Sequence, residues 1–150
     1  MKLIVLHSQR YLSLNHKGQA IQSATPTEWV FILHGGVVSN PLSVYGRIAL
    51  KSDHSQCLQP LYGDLHDGCE IYLRPIETDN TSQLWRFATP DQQGYYIIEN
   101  HNKRQESKAK AVIQRSCIDV CEKKLCEGAM LITYHVINST TATNQRWKIE

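Results

Sequence analysis

The sequence predicts an all-β fold of three four-stranded repeats, and three observations predict it. The three tryptophans, Trp29, Trp85 and Trp147, each sit in a short alternating segment: Glu28-Trp29-Val30-Phe31-Ile32, Leu84-Trp85-Arg86-Phe87 and Arg146-Trp147-Lys148-Ile149. Alternation with a period of two marks a strand with one buried face. The segments upstream of each tryptophan correspond as well, and no stretch carries helical periodicity. Threefold repetition of a four-strand unit narrows an all-β barrel or sandwich to a β-trefoil.

The strands can be placed in order. The first repeat offers Leu3-Ile4-Val5-Leu6, the polar turn His7-Ser8-Gln9-Arg10, and then Tyr11-Leu12-Ser13-Leu14. The second offers Arg47-Ile48-Ala49-Leu50 and Cys57-Leu58-Gln59-Pro60, and the third Tyr95-Tyr96-Ile97-Ile98 and Cys117-Ile118-Asp119-Val120. A glycine then precedes the next apolar strand each time: Gly18 before Ala20-Ile21, Gly68 before Ile71-Tyr72-Leu73, and Gly128 before Met130-Leu131-Ile132. Each tryptophan segment is the fourth strand. The repeats cover approximately 1–40, 41–92 and 93–150, and together make one domain over 1–150. The tryptophans are expected in equivalent buried positions, each with a partner for its indole N–H. The third repeat is longer, and its extra residues fall in His101 to Ser116, a polar, basic stretch expected to be a solvated surface loop.

Composition sets the outer limits. A chain of 150 residues with 41% hydrophobic and 20% charged residues is ordinary globular material, able to bury a core without staples. A net charge of +2 is too small to argue for nucleic acid or an anionic membrane as partner. No apolar run approaches the length of a membrane span, so no membrane insertion is expected. The apolar run of the N-terminus is short and ends at His7, unlike a secretory signal. A cytoplasmic protein, or one released without a signal peptide, is the expectation; removal of a leader would make it extracellular. The five cysteines (Cys57, Cys69, Cys117, Cys121 and Cys126) are then expected as free thiols. Cys117, Cys121 and Cys126 match no zinc spacing, so neither a metal nor another cofactor is predicted. Asp64 and Asp67, beside Gly63 and Gly68, are read as turn residues rather than calcium ligands.

The residues around the second and third tryptophans are more specific. Asn144-Gln145-Arg146-Trp147 resembles the Gln-x-Trp signature of ricin-B-type lectins. Ser82-Gln83-Leu84-Trp85 carries the same signature with Ser for Asn, and Thr27-Glu28-Trp29 is a worn version. Cys117-Ile118-Asp119-Val120 resembles the segment that opens a sugar-binding repeat in that family. The resemblance spans the chain weakly and is strong in repeats two and three.

The resemblance implies a carbohydrate-binding lectin, with a galactose-type site in the third repeat built from Asp119, Tyr134, Asn144 and Gln145. The chemistry of these residues agrees. A carboxylate accepts from two neighbouring hydroxyls through charge-assisted bonds. An aromatic ring takes the apolar face of a galactose ring. The Asn144 amide can donate and accept, and Gln145 can hold the carboxylate in place. The implied partners are glycans ending in galactose or N-acetylgalactosamine. Ile132 departs from the family pattern, which often has a polar residue there. Repeats two and one lack the set: Gln59 and Arg74 stand in the acidic and aromatic positions of one, Ser13 and Ala24 in those of the other, which keeps only Gln22 at the polar position. One intact site per chain implies that agglutination would need a homodimer or a second site. The family's disulfide would pair Cys57 and Cys117 with positions that here hold Ile76 and Val136, so neither bridge is expected.

A binding protein rather than an enzyme is expected. There is no nucleophile elbow, zinc-protease helix motif or glycine-rich phosphate loop. His34-Gly35-Gly36 is read as a tight turn using the positive φ of glycine. Asn80-Thr81-Ser82 and Asn138-Ser139-Thr140 match glycosylation acceptors that matter only in a secreted protein. Two alternatives stay open. The chain could be a β-trefoil protease inhibitor acting through the loop from Gly35 to Tyr45 or that from His101 to Ser116, or a glycan-targeting module of a larger toxin or enzyme.

Overall fold

The computed structural model describes residues 1–35, 44–63, 65–88, 90–105, 113–139 and 141–150, with the backbone alone at 103–105 and 113. Four strands make the first unit: β1 (Leu3–Val5), β2 (Tyr11–Leu14), β3 (Ala20–Ser23) and β4 (Trp29–Leu33). The second has β5 (Gly46–Leu50), β6 (Gln56–Pro60), β7 (Cys69–Pro75) and β8 (Trp85–Phe87). The third has β9 (Ile98–Gln105), β10 (Ile113–Val120), β11 (Leu131–His135) and β12 (Trp147–Ile149).

The first and fourth strands of the units close a ring. β4 pairs with β5, β5 with β8, β8 with β9, and β12 with β1. Two contacts complete it. Trp29 exchanges backbone bonds with Met1 just ahead of β1, and Tyr96, just ahead of β9, bridges to Trp147. The second and third strands form hairpins β2–β3, β6–β7 and β10–β11. These touch one another in turn through Ile21 with Met130, Gln19 with Tyr72, and Ile132 with Glu70. This is the threefold arrangement that the repeats predict: a six-stranded ring capped by three hairpins.

The core repeats three times. Trp29, Trp85 and Trp147 are fully buried. Their indole N–H groups donate to the carbonyls of Leu12 (3.1 Å), Leu58 (3.0 Å) and Ile118 (3.1 Å), the corresponding residue in the second strand of each unit. Leu12, Leu58 and Ile118 are themselves fully buried, as are Ala20, Ile71 and Leu131 on the third strands. Gly18, Gly68 and Gly128 hold φ of +75°, +85° and +78°, a left-handed turn that any Cβ would strain. All three lead into the third strand of their unit.

Several expectations change. The stretch from His101 to Ser116 is not a surface loop on either flank. β9 runs on to Gln105 and β10 starts at Ile113, paired Gln105 with Ile113 and Lys103 with Arg115, with a register shift before Cys117 meets Glu99. Its polar, basic sequence shows none of the apolar alternation by which a strand is read. Residues 106–112, including Lys108 and Lys110, lie outside the described residues, as do 36–43 of the loop from Gly35 to Tyr45, Asp64 and Thr140. Gly35 has no positive φ and Gly36 lies outside the described residues, so the expected glycine turn is not found at Gly35. The third repeat opens on the single bridge at Tyr96, and its strand starts only at Ile98.

All five cysteines are free thiols, with Cys57, Cys69 and Cys117 buried. Burial pushes the Cys57 thiol up to about 12 and raises that of Cys117 in the same way. Thiol titration of the unfolded, unreduced chain should therefore find Cys57 and Cys117 fully reactive, and finding either in a disulfide would contradict the fold described here. Trp147→Phe should keep the fold but leave the Ile118 carbonyl without its donor, at a cost of about 1–3 kcal/mol read by denaturant unfolding. Trp147→Ala, which also opens a cavity, should cost about 3–5 kcal/mol.

Candidate functional site

In the second strand of each unit the residue after the tryptophan-bonded carbonyl is Ser13, Gln59 or Asp119. In the third unit the one-turn 3-10 segment Thr143–Gln145, just ahead of β12, carries Asn144 and Gln145 to that residue. Asn144 Nδ2 donates to Asp119 Oδ1 at 2.8 Å, and Gln145 Nε2 donates to Asp119 Oδ2 at 2.8 Å. The carboxylate accepts only, so both amide orientations are set by chemistry. Gln145 also donates to the His135 carbonyl at 3.0 Å and accepts from Ile137 N at 3.0 Å, which ties Asp119 to the end of β11.

Asp119 is 4% exposed, so the carboxylate is held almost out of water. Burial pushes its pKa up to about 6, against the pull of the Gln145 and Asn144 bonds and of Lys123 and His135. Each carboxylate oxygen keeps acceptor capacity beyond its one amide bond. Asn144 uses its N–H groups on Asp119 and, at 3.4 Å, on the Val120 carbonyl. Its Oδ1 is buried and unpartnered. The amide expected to donate and accept is thus left with an acceptor alone.

Asp119, Asn144 and Tyr134 line one cavity of about 360 Å³. Gln145 is fully buried behind them. Tyr134 comes from β11, opposite Cys117, and its half-buried ring lies 4.5 Å from the His135 ring at 31°. Ile132 sits directly across from Asp119 and presents an apolar wall where the family pattern often has a polar residue. Four of four expected residues therefore meet, three on the cavity and one behind it.

The structure adds Asp67, Lys123 and Ile137 to the lining. Asp67 belongs to the second unit and lies in a turn, as expected, closed by the Cys69 N–H on the His66 carbonyl. Its carboxylate also reaches the third unit: Oδ1 accepts from His135 N at 2.8 Å and Oδ2 meets His135 Nδ1 at 2.9 Å, which pins the end of β11. These partners are far apart in sequence, and no motif signals such a contact. No group of three or more metal-ligating side chains occurs among the described residues.

The other two units spend the corresponding groups internally. Gln83 repeats the work of Gln145: it donates to Gln59 Oε1 at 2.9 Å and to the Pro75 carbonyl at 2.8 Å, and accepts from Glu77 N at 3.0 Å. The acceptor it holds is neutral, and Arg74 lies over the Tyr72 ring at 4.9 Å. In the first unit, Ser13 and Thr27 hydroxyls bond each other at 2.7 Å. Strand register corrects the count from Gly18 by one. Ser23 lies across from Tyr11 as Tyr134 does from Cys117, and Ile21 lies across from Ser13 as Ile132 does from Asp119. Ser23 and Ile21, not Ala24 and Gln22, hold those positions, because one residue fewer separates the glycine from the strand. Gln22 is fully buried and donates to the carbonyls of Lys124 and Cys126, a structural role.

Known structures share this architecture. ThreeFoil, a designed 3-fold symmetric protein, is similar with a TM-score of 0.68 at 18% identity, over 98% of this chain and 94% of that one. The fold is a β-trefoil. A chain from the structure of a mosquitocidal holotoxin is similar with a TM-score of 0.70 at 14% identity, over 99% of this chain and 16% of the toxin chain. The β-trefoil described here thus corresponds to a small part of that toxin chain's length. No protein-family model and no curated protein matches the sequence. At such identities the likeness is one of fold.

The Asp119 shift has a checkable sign. Its folded pKa of about 6 lies above the ordinary carboxylate value of 3.8, so the buried charge costs stability above about pH 6, and that cost is relieved as pH falls toward 3.8. A carboxyl-carbon NMR titration should show one aspartate with its midpoint near pH 6, absent in Asp119→Asn. A midpoint near 4 would show that the Asn144 and Gln145 bonds outweigh the loss of water around the carboxylate.

Proposed function

We propose that this β-trefoil is a carbohydrate-binding protein, not an enzyme, whose third unit binds galactose or N-acetylgalactosamine ends of glycans. The observation that carries the reading is the Asp119 carboxylate, clamped by two amides at the wall of a cavity that Tyr134 also lines. Clamping removes the rotamer freedom that a ligand would otherwise have to freeze. The free lone pairs of both oxygens then accept from two neighbouring sugar hydroxyls. The unpartnered Asn144 Oδ1 is a further acceptor for a hydroxyl.

Galactose suits this arrangement because its axial hydroxyl and the neighbouring equatorial one point together toward a single carboxylate. The same axial placement leaves an apolar C–H face, which lies on Tyr134. Ile132 and Ile137 extend the apolar wall. Glucose turns the axial hydroxyl away and leaves an acceptor unpaired, at a cost of roughly 1–3 kcal/mol.

Calorimetry with lactose and N-acetylgalactosamine tests the reading. One site per chain is expected. Asp119→Ala should abolish measurable binding with folding intact. Tyr134→Ala should weaken it strongly through lost stacking, and Gln145→Ala should act partly by destabilising the fold. Binding should also fall as pH drops through about 6, where Asp119 gains a proton and loses acceptor capacity. Unchanged binding by Asp119→Ala and Asn144→Ala, or three equal sites per chain, would refute the assignment.

A further inference from the structure

The segment from Val136 to Arg146 has a cavity on each side. Tyr134, Ile137 and Asn144 line the Asp119 cavity, whereas Val136, Asn138 and Arg146 line a second one of about 350 Å³. Adjacent residues facing opposite ways make this segment a shared wall. The second cavity is lined by three arginines, Arg86, Arg115 and Arg146, and by one carboxylate among its described residues, Glu99.

The charges there do not balance. Glu99 is 4% exposed and is engaged mainly by Arg86, whose Nε and Nη2 lie 2.8 and 2.6 Å from Glu99 Oε2. Arg115 reaches the same oxygen only at 3.5 Å. The Arg146 guanidinium makes one long contact, Nη2 to the Ser139 carbonyl at 3.5 Å, and no other side-chain hydrogen bond among the described residues. A single carboxylate cannot neutralise three guanidinium groups, and like charges gathered in a concave wall repel one another at reduced screening. Guanidinium forks match the planar or tetrahedral oxygens of an oxyanion, to which they donate in pairs.

We propose that this cavity binds an oxyanion, the carboxylate or sulfate ester of an acidic glycan whose galactose ring occupies the Asp119 cavity across the shared wall. The glycan part of the assignment rests on the carbohydrate reading above; the oxyanion part rests on the arginines alone. Arg146 carries it, because Arg86 and Arg115 already contact the Glu99 carboxylate and Arg146, among the described residues, makes no ion pair with it.

The full chain tests both parts. Calorimetry at low salt compares lactose with lactose carrying sialic acid or sulfate on the galactose 6-hydroxyl, which leaves the axial hydroxyl and its equatorial neighbour free for Asp119. The acidic forms should bind about tenfold tighter, an advantage that shrinks with added sodium chloride. Arg146→Gln should remove the advantage and leave lactose binding unchanged; Arg115→Gln, at a more exposed position, gives a second reading if the first variant folds poorly. In parallel, arginine Nε–H NMR signals are followed on titration with sodium sulfate against sodium chloride of equal ionic strength. Sulfate-specific shifts that Arg146→Gln abolishes support the oxyanion cavity, and their absence overturns it. Shifts with sulfate but equal affinity for acidic and neutral lactosides assign the cavity to a free anion and overturn the glycan extension. Shifts with sulfate but no binding of any lactoside refute the carbohydrate reading and leave the oxyanion cavity standing.

Discussion

Three buried indole N–H groups, each donating to a backbone carbonyl in the second strand of its own unit, hold the molecule's threefold pattern together. Each tryptophan is fully dehydrated, so an unmade bond would leave a polar group stranded in the core. The bond joins the last strand of a unit to its second strand and sets their relative height. With that height set, the next residue along the second strand meets the residues just ahead of the tryptophan. Ser13 meets Thr27, Gln59 meets Gln83, and Asp119 meets Asn144 and Gln145. The candidate site therefore inherits its geometry from a core contact made three times over.

The repeated units act as internal controls for one another. Gln83 and Gln145 make the same set of bonds, so that glutamine is architectural whatever the site does. The difference lies in what it holds. Gln59 is neutral and its bond to Gln83 is an ordinary buried amide pair. Asp119 is charged, and its raised pKa shows that two amide bonds do not offset the loss of water around the carboxylate. Two units hold, at this position, neutral groups satisfied within the unit. The third keeps a buried anion with spare acceptor capacity at a cavity wall, a local cost of the kind found where a ligand is expected to complete the site.

The cavities also show how a pseudo-symmetric fold becomes asymmetric. Asp67, from the second unit, secures His135 at the end of β11 and so helps to shape a site that belongs to the third. Arg86 and Glu99 lie on neighbouring ring strands, Arg115 on the ribbon strand that continues to Asp119, and Arg146 between Gln145 and Trp147. Both cavities thus draw on more than one element while sharing the segment from Val136 to Arg146.

The fold was legible because its signals are local and repeated: period-two alternation, three tryptophans, and a glycine ahead of each third strand. Asp119, Asn144 and Gln145 were legible for a related reason, since each lies within three residues of a core position that the repeats make recognisable. Tyr134 followed from a count of residues after Gly128, and the same count failed by one in the first unit, where the turn is shorter and only cross-strand register identifies Ser23 and Ile21. The ribbon of β9 and β10 was hidden because its polar sequence carries no apolar alternation. The Asp67–His135 pair, the gathering of three arginines about Glu99 and the shifted acidity of Asp119 were decided by tertiary structure alone. Desolvation and Coulomb interaction depend on distance in space, and the groups concerned come from strands and turns whose separation along the chain carries no trace of their meeting.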